Sequence, residues 1–364
     1  MFHTNTHLTT TLDVKQYSSH TYKNVVSLCA NLTLSELWPS LFASRKGLFT
    51  SSTRFAALLG VSLIISPQSI ANELHCDASK LPLSTDAVPM LISDNFKFLE
   101  GPTWSANQQV FYFSEMDFNG PQLAGPEAKI YTWSEHSGIN LFHHSSYSNG
   151  LLVDENTLYV MDHGNRALSQ ISINDKAKKQ ASITPLSTNF QQQAFNSPND
   201  LVKHIDGTIY FTDPDWQLGK RVAQTPYTGV YRYHQGETTL LTSKLTKPNG
   251  IALSPDQNTL YVGHAGNQIF AYLLAKDGSI AAEEFIIDID SPDGMAIDCA
   301  GNIYATSHSQ GKLHVFNSQG QQLHEVGLGV NVTNVAFGGI NRQTLLITTA
   351  KGLYKMKTQL PGLQ

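Results

Sequence analysis

One short strand, repeated six times, limits this chain more than any other feature. The segments VFYFSE around Tyr112, TLYVMD around Tyr159, TIYFTD around Tyr210, TLYVGH around Tyr261, NIYATS around Tyr304 and TLLITT around Leu346 recur at intervals of 42 to 51 residues. Their β-branched and aromatic content argues for strands, and several follow tight-turn residues such as DG, AG or DQN. The interval is that of a propeller blade built from four short antiparallel strands. GVYRY (Gly229 to Tyr233), QIFAYLL (Gln268 to Leu274) and KLHVF (Lys312 to Phe316) then read as third strands of their blades. The expectation is an all-β, six-bladed β-propeller that fills residues 72–364 as a single domain.

A second pattern runs 10 to 12 residues ahead of each repeat: Glu100-Gly101, Asn149-Gly150, Asn199-Asp200, Asn249-Gly250, Asp293-Gly294 and Asn334-Val335. Each precedes an apolar stretch that would be the innermost strand of its blade, so six carboxylates and amides should ring one central channel. Asn-Gly and Asp-Gly are ordinary turn formers. Turn chemistry does not account for Glu100, nor for the Pro that precedes Asn199, Asn249 and Asp293.

Side chains that converge with oxygen alone select a hard cation, because zinc or copper would draw on His and Cys. Glu100 and Asp293 balance one divalent charge, and Asn199 and Asn249 add neutral oxygens. Calcium tolerates the irregular geometry of a propeller axis better than magnesium does, and the channel is expected to hold one Ca2+, replaceable by Zn2+, Mn2+ or Mg2+. His163, His264 and His308 follow the repeated strands and either line the pocket mouth or are satisfied loop residues. Arg166 either contacts a substrate hydroxyl or carboxylate or forms a surface salt bridge.

Arg45, Lys46 and Arg54 stand before the apolar run Phe55 to Ile65, which is followed by small residues at Ser69 and Ala71. That is the order of a secretory signal, and the run is too short to span a bilayer. Residues 1–71 are therefore expected to be a leader cleaved near Ala71, leaving a periplasmic or secreted protein with no membrane attachment. About 44 residues precede the basic cluster, which is long for such a signal. Cys29 would leave with the leader, while Cys76 and Cys299 would enter a compartment where one disulfide is allowed. A net charge of -5 without a basic run argues against a nucleic-acid partner.

EGPTW (Glu100 to Trp104), SPNDLVKHIDGTIYFTDP (Ser197 to Pro214), KPNGIALSPDQNTLYV (Lys247 to Val262), SPDGMAIDCAGNIYA (Ser291 to Ala305) and TNVAFGG (Thr333 to Gly339) together resemble the gluconolactonase family, which includes regucalcin and the luciferin-regenerating enzyme. The likeness runs from Ile92 to Tyr354 and includes the second-blade stretch Ser148 to Arg166. It implies a six-bladed propeller that hydrolyses a small sugar lactone, with a divalent metal on Glu100, Asn249 and Asp293 and with Asn199 as a further ligand or a substrate contact. One departure stands out: regucalcin-like members carry an Arg two residues before the third-blade Asn, where this chain has Ser197.

The chemistry expected is attack of water on a lactone carbonyl activated by the cation, with Asp293 as general base. Asn149 and Asn199 would hold substrate hydroxyls and Asp200 would orient the ring, with His163 and Arg166 as further substrate contacts. The rival readings are a phosphoesterase or aryl esterase on the same metal, and a non-catalytic calcium-binding propeller.

Overall fold

The computed structural model describes residues 76–174 and 182–363. The leader expected over residues 1–71 lies outside them. Six four-stranded antiparallel sheets make up the six expected blades, joined by one two-stranded ribbon, Asn189–Phe190 with Gln193–Ala194. The innermost strands are Phe98–Ser105, Ser148–Asp154, Leu201–Lys203, Pro248–Leu253, Pro292–Ile297 and Val332–Gly338. All six repeated segments are the second strands of their blades, and GVYRY, QIFAYLL and KLHVF are third strands.

The repeat has a packing cause. Six apolar clusters fill the six gaps between neighbouring blades. Along a strand, successive side chains point to opposite faces. Tyr112, Tyr210, Tyr261, Tyr304 and Leu346 each pack into the gap shared with the following blade, and Tyr159 packs against the edge of its own such gap. Their neighbours, such as Phe111, Phe113 and Phe211, face the preceding gap. Burying each large side chain contributes on the order of 2 kcal/mol, so a blade without a neighbour would lose most of its stabilisation.

The ring closes through the strand Met90–Ser93, which was not anticipated from sequence. It pairs antiparallel with Leu353–Lys357 and completes the last blade from the other end of the chain. Cys76 and Cys299 form a disulfide that fixes the segment leading into this strand to the turn after the fifth innermost strand. Leu83 of the same segment is buried among residues of blades five and six.

Near the axis the innermost strands are irregular. Their pairing shifts register at Glu100/Thr103, Ser148/Leu151, Pro248/Ile251, Pro292/Met295 and Val332/Asn334. The residues of the second recurrence therefore sit mostly in β-bulges within these strands, not ahead of them. A bulge bends a strand and re-aims its side chains, here at the point where six strands converge.

The strands also touch one another directly. The Gly150 N–H donates to the Asn199 carbonyl of the next blade at 2.7 Å, and a Cβ on Gly250 would lie 2.0 Å from the Asp293 carbonyl. Hydroxyls on the second strands add straps. Ser114 Oγ donates to the Asn149 carbonyl, Thr212 Oγ1 to the Asn249 carbonyl and Thr306 Oγ1 to the Thr333 carbonyl, each at 2.8 Å and each across a blade gap. Thr333 Oγ1 reaches the Leu99 carbonyl at 2.6 Å and straps the last blade to the first.

Gly250→Ala is expected to lower stability by about 1–3 kcal/mol in chemical denaturation, because a carbonyl of the adjacent blade cannot give way. Gly327→Ala, at a position with nothing within 4 Å, should change it by no more than about 0.5 kcal/mol.

Candidate active site

Several of the oxygen-bearing side chains lie close together: Glu100 is near Asp293, Asp200 and Asn334, and Asp293 is near Asn249. Glu100, Asn149, Asn199, Asp200, Asp293 and Asn334 are all buried, and Asn249 is half-buried. Burial pushes the Glu100 carboxyl well above its usual range, and the nearby charges of Asp293 and Asp200 push it further. Asp293 is also raised by burial, opposed by His308 and by the Asn249 side chain. Asp200 is raised by burial to about 7, although it accepts from the Leu201 N–H at 2.9 Å and from Asn334 Nδ2 at 3.2 Å.

Three buried carboxyls that repel one another are costly in a protein interior without a compensating cation. Among the described residues no three His, Cys, Asp or Glu side chains are grouped as a metal cluster. The donors here are instead two carboxylates, Glu100 and Asp293, with the amides of Asn199 and Asn249. Such an oxygen set suits a hard divalent ion and would relieve the repulsion between the acids, so the residues fit the group. Asn149 supplies a separate signal, since its buried Nδ2 has no hydrogen-bond partner. A buried donor of this kind calls for an acceptor, such as a substrate hydroxyl or an ordered water.

His163 and Arg166 lie elsewhere. His163 has no exposed surface, bonds the Pro126 carbonyl through Nε2 at 2.9 Å and is pushed by burial to a pKa of about 3. Arg166 donates to the carbonyls of Phe195 at 3.0 Å and Val222 at 2.8 Å. Both residues tie together segments that are distant along the chain. His163 Nε2 and the two terminal nitrogens of Arg166 thus serve the chain's own backbone, the alternative to substrate contact that the sequence left open, while His163 Nδ1 is buried without a hydrogen-bond partner.

Two other residues are prominent: His308, which the sequence left between the pocket mouth and a satisfied loop position, and Arg221, which it passed over. His308 follows the second strand of blade five, and its Nδ1 lies 3.2 Å from Asp293 Oδ2, which raises the imidazole pKa. Its position just beyond a repeated strand was visible in the sequence, but its pairing with Asp293 was not. Arg221 directs its guanidinium at the carbonyls of Gly164, Ala124, His163, Gln217 and Leu218. It thereby joins the loop over residues 118–126 to the loop over residues 214–228. Nothing in the local sequence marks Arg221, since most of its partners are far away along the chain.

Ser197 helps to set the second of these loops. Its hydroxyl donates to the Pro214 carbonyl at 2.7 Å and accepts from the Gln217 N–H at 3.1 Å. Next to it, the half-exposed Trp216 ring lies 4.5 Å from Lys247 Nζ, which also stands 3.0 Å from Asp215 Oδ1. Lys247 precedes the Pro248-Asn249 bulge, so a cation and an aromatic face flank the strand that carries one of the amide donors.

Comparison with known proteins agrees with this architecture. The family model described as SMP-30/Gluconolactonase/LRE-like region matches residues 98–351. A gluconolactonase of Zymomonas mobilis is 29% identical over 299 residues, covering 75% of this chain and 82% of its own length. A pentonolactonase of Haloferax volcanii is 22% identical, covering 73% of this chain and 86% of that protein. Among solved structures, a gluconolactonase from Xanthomonas campestris has a TM-score of 0.67 at 27% identity, covering 78% of this chain and 94% of that one. The calcium-binding protein regucalcin from Agrobacterium tumefaciens shares the fold, with a TM-score of 0.61 at 17% identity over 76% of this chain and 96% of its own. On the breadth of that match, the chain belongs to the SMP-30/gluconolactonase/LRE-like family.

Proposed function

We propose that the protein is a hydrolase of small sugar lactones that works with one divalent cation, calcium in the first instance, held by Glu100, Asn199, Asn249 and Asp293. The observation that carries this reading is the burial of Glu100 and Asp293 together, close enough that the Asp293 charge raises the Glu100 pKa, beside the Asn249 amide. The lactonase names of the Zymomonas mobilis and Haloferax volcanii relatives support the substrate class. The calcium-binding description of the Agrobacterium tumefaciens regucalcin supports the choice of ion.

The cation, when bound, supplies Lewis acidity that polarises the lactone carbonyl and favours negative charge on its oxygen. Asp293 takes a proton from the attacking water as the new acyl C–O bond forms. The ring C–O bond then breaks, and the proton on Asp293 passes to the departing alkoxide, which leaves as a hydroxyl. The hydroxy acid product releases its own proton to solvent. His308 holds the Asp293 carboxylate in place through their 3.2 Å contact. Asn149 and Asn199 present amides to the substrate hydroxyls, while Asp200, itself held by Asn334, supports the ring from below.

The disulfide between Cys76 and Cys299 fits an oxidising compartment, in keeping with the secretory pattern ahead of it. The protein is accordingly proposed to act outside the cytoplasm after cleavage near Ala71.

Asp293→Asn should keep a cooperative melting transition while kcat on glucono-1,5-lactone, followed by proton release, falls about a hundredfold or more. Activity equal to wild type would remove Asp293 from the mechanism. Treatment with a chelator should abolish turnover, and added calcium or manganese should restore it; turnover that survives thorough chelation would rule out the metal. N-terminal sequencing of the exported protein should begin near Asn72, and an intact leader on the active protein would argue against export.

A further inference from the structure

The channel does not end at the oxygen ring. Beneath it lies a cavity of about 600 Å³ that opens on the opposite face of the propeller, with Asp200 and Asn334 at its inner end and Arg342 among its lining residues. Two or three positions beyond each oxygen-bearing residue, every blade contributes an apolar side chain to this cavity: Pro102, Leu152, Val202, Ala252, Ala296 and Ala336. A second ring, entirely aliphatic, therefore follows the polar one. The lactone chemistry uses none of it.

The cations lining this cavity are not equivalent. Lys203 is paired with Asp154, and His204 stands 2.8 Å from Asp206. Arg342 has no hydrogen-bond or ion-pair partner for its guanidinium among the described residues, and partial burial alone lowers its pKa. A partly desolvated guanidinium without a partner can seat a carboxylate, which it grips through two parallel hydrogen bonds. The cavity volume is that of a small-molecule site, with an aliphatic ring inside and polar and charged side chains, Lys203, His204 and Arg342 among them, also in its lining.

We infer that this lower cavity binds a medium-chain aliphatic monocarboxylate, with its hydrocarbon tail in the aliphatic ring and its carboxylate on Arg342. The orientation follows from charge. Asp200 closes the inner end, with Glu100 and Asp293 beyond it, so an anionic head group is repelled there; of the other acids lining the cavity Asp154 is paired with Lys203 and Glu155 remains, and the unpaired Arg342 is the group that draws a carboxylate away from the inner end. A polyhydroxy acid, such as the product of lactone hydrolysis, would have to strip its hydroxyls of water against aliphatic walls and is disfavoured. The site is thus distinct in chemistry from the lactone site above the oxygen ring.

Calorimetric titration of the calcium-loaded full chain with octanoate, octanamide and gluconate tests this. Octanoate should bind saturably at one site, and octanamide and gluconate at least tenfold more weakly. Arg342→Gln should weaken octanoate at least tenfold while leaving lactone hydrolysis unchanged. Ala296→Trp, which fills the aliphatic ring, should abolish octanoate binding in protein whose circular dichroism matches wild type. If Ala296→Trp does not fold, Arg342→Gln decides alone. Absence of saturable octanoate binding to the folded wild-type chain, equal affinity for octanamide or gluconate, or unchanged affinity in Arg342→Gln would each overturn the proposal.

Discussion

Direct contact between the innermost strands of neighbouring blades is the constraint on which the rest of this molecule depends. The backbone of each blade comes so close to the next that Gly250 leaves no room for a Cβ, and Gly150 hydrogen-bonds directly into the third blade. The innermost strands of five of the six blades are bulged near these contacts, and the bulges hold Glu100, Asn149, Asn249 and Asp293. The geometry that closes the propeller therefore also gathers its acids. Buried carboxyls at that point would be a net cost to stability on their own. A site that stores repulsion in this way is one expected to be completed by a cation.

The blades were legible in the sequence because each repeated strand obeys the same two-sided packing demand. Tyr112, Tyr210, Tyr261 and Tyr304 must fill the following gap while their neighbours fill the preceding one, and that demand stamps the same pattern on every copy. The polar ring was legible for a related reason, although its glycines were open to misreading. Asn-Gly and Asp-Gly look like turns, but here the Gly serves close approach between blades and the acid or amide serves the axis. Local sequence cannot separate those uses, because the clashing carbonyl belongs to another blade.

What the sequence concealed was set by contacts between distant segments. The closing strand Met90–Ser93 has only four residues and finds its partner at the far end of the chain, so no neighbouring pattern announces it. His308 was one histidine among several in similar positions until its contact with Asp293 singled it out. His163 and Arg166 looked equally suited to substrate, yet their partners are the carbonyls of Pro126, Phe195 and Val222. Ser197 shows the converse. The position that departs from the regucalcin-like pattern is occupied by a residue that fixes the loop bearing Trp216.

The composite last blade has a bearing on biosynthesis. Its outer strand is among the first parts of the described chain to be translated, while the three strands it joins are among the last. The nascent polypeptide must therefore keep Met90–Ser93 unpaired until the C-terminal region has left the ribosome, and during that interval it exposes a bare β edge open to wrong partners. Maturation is in this sense a single late event, and any factor that shields the emerging amino-terminal strand would raise the yield of closed rings.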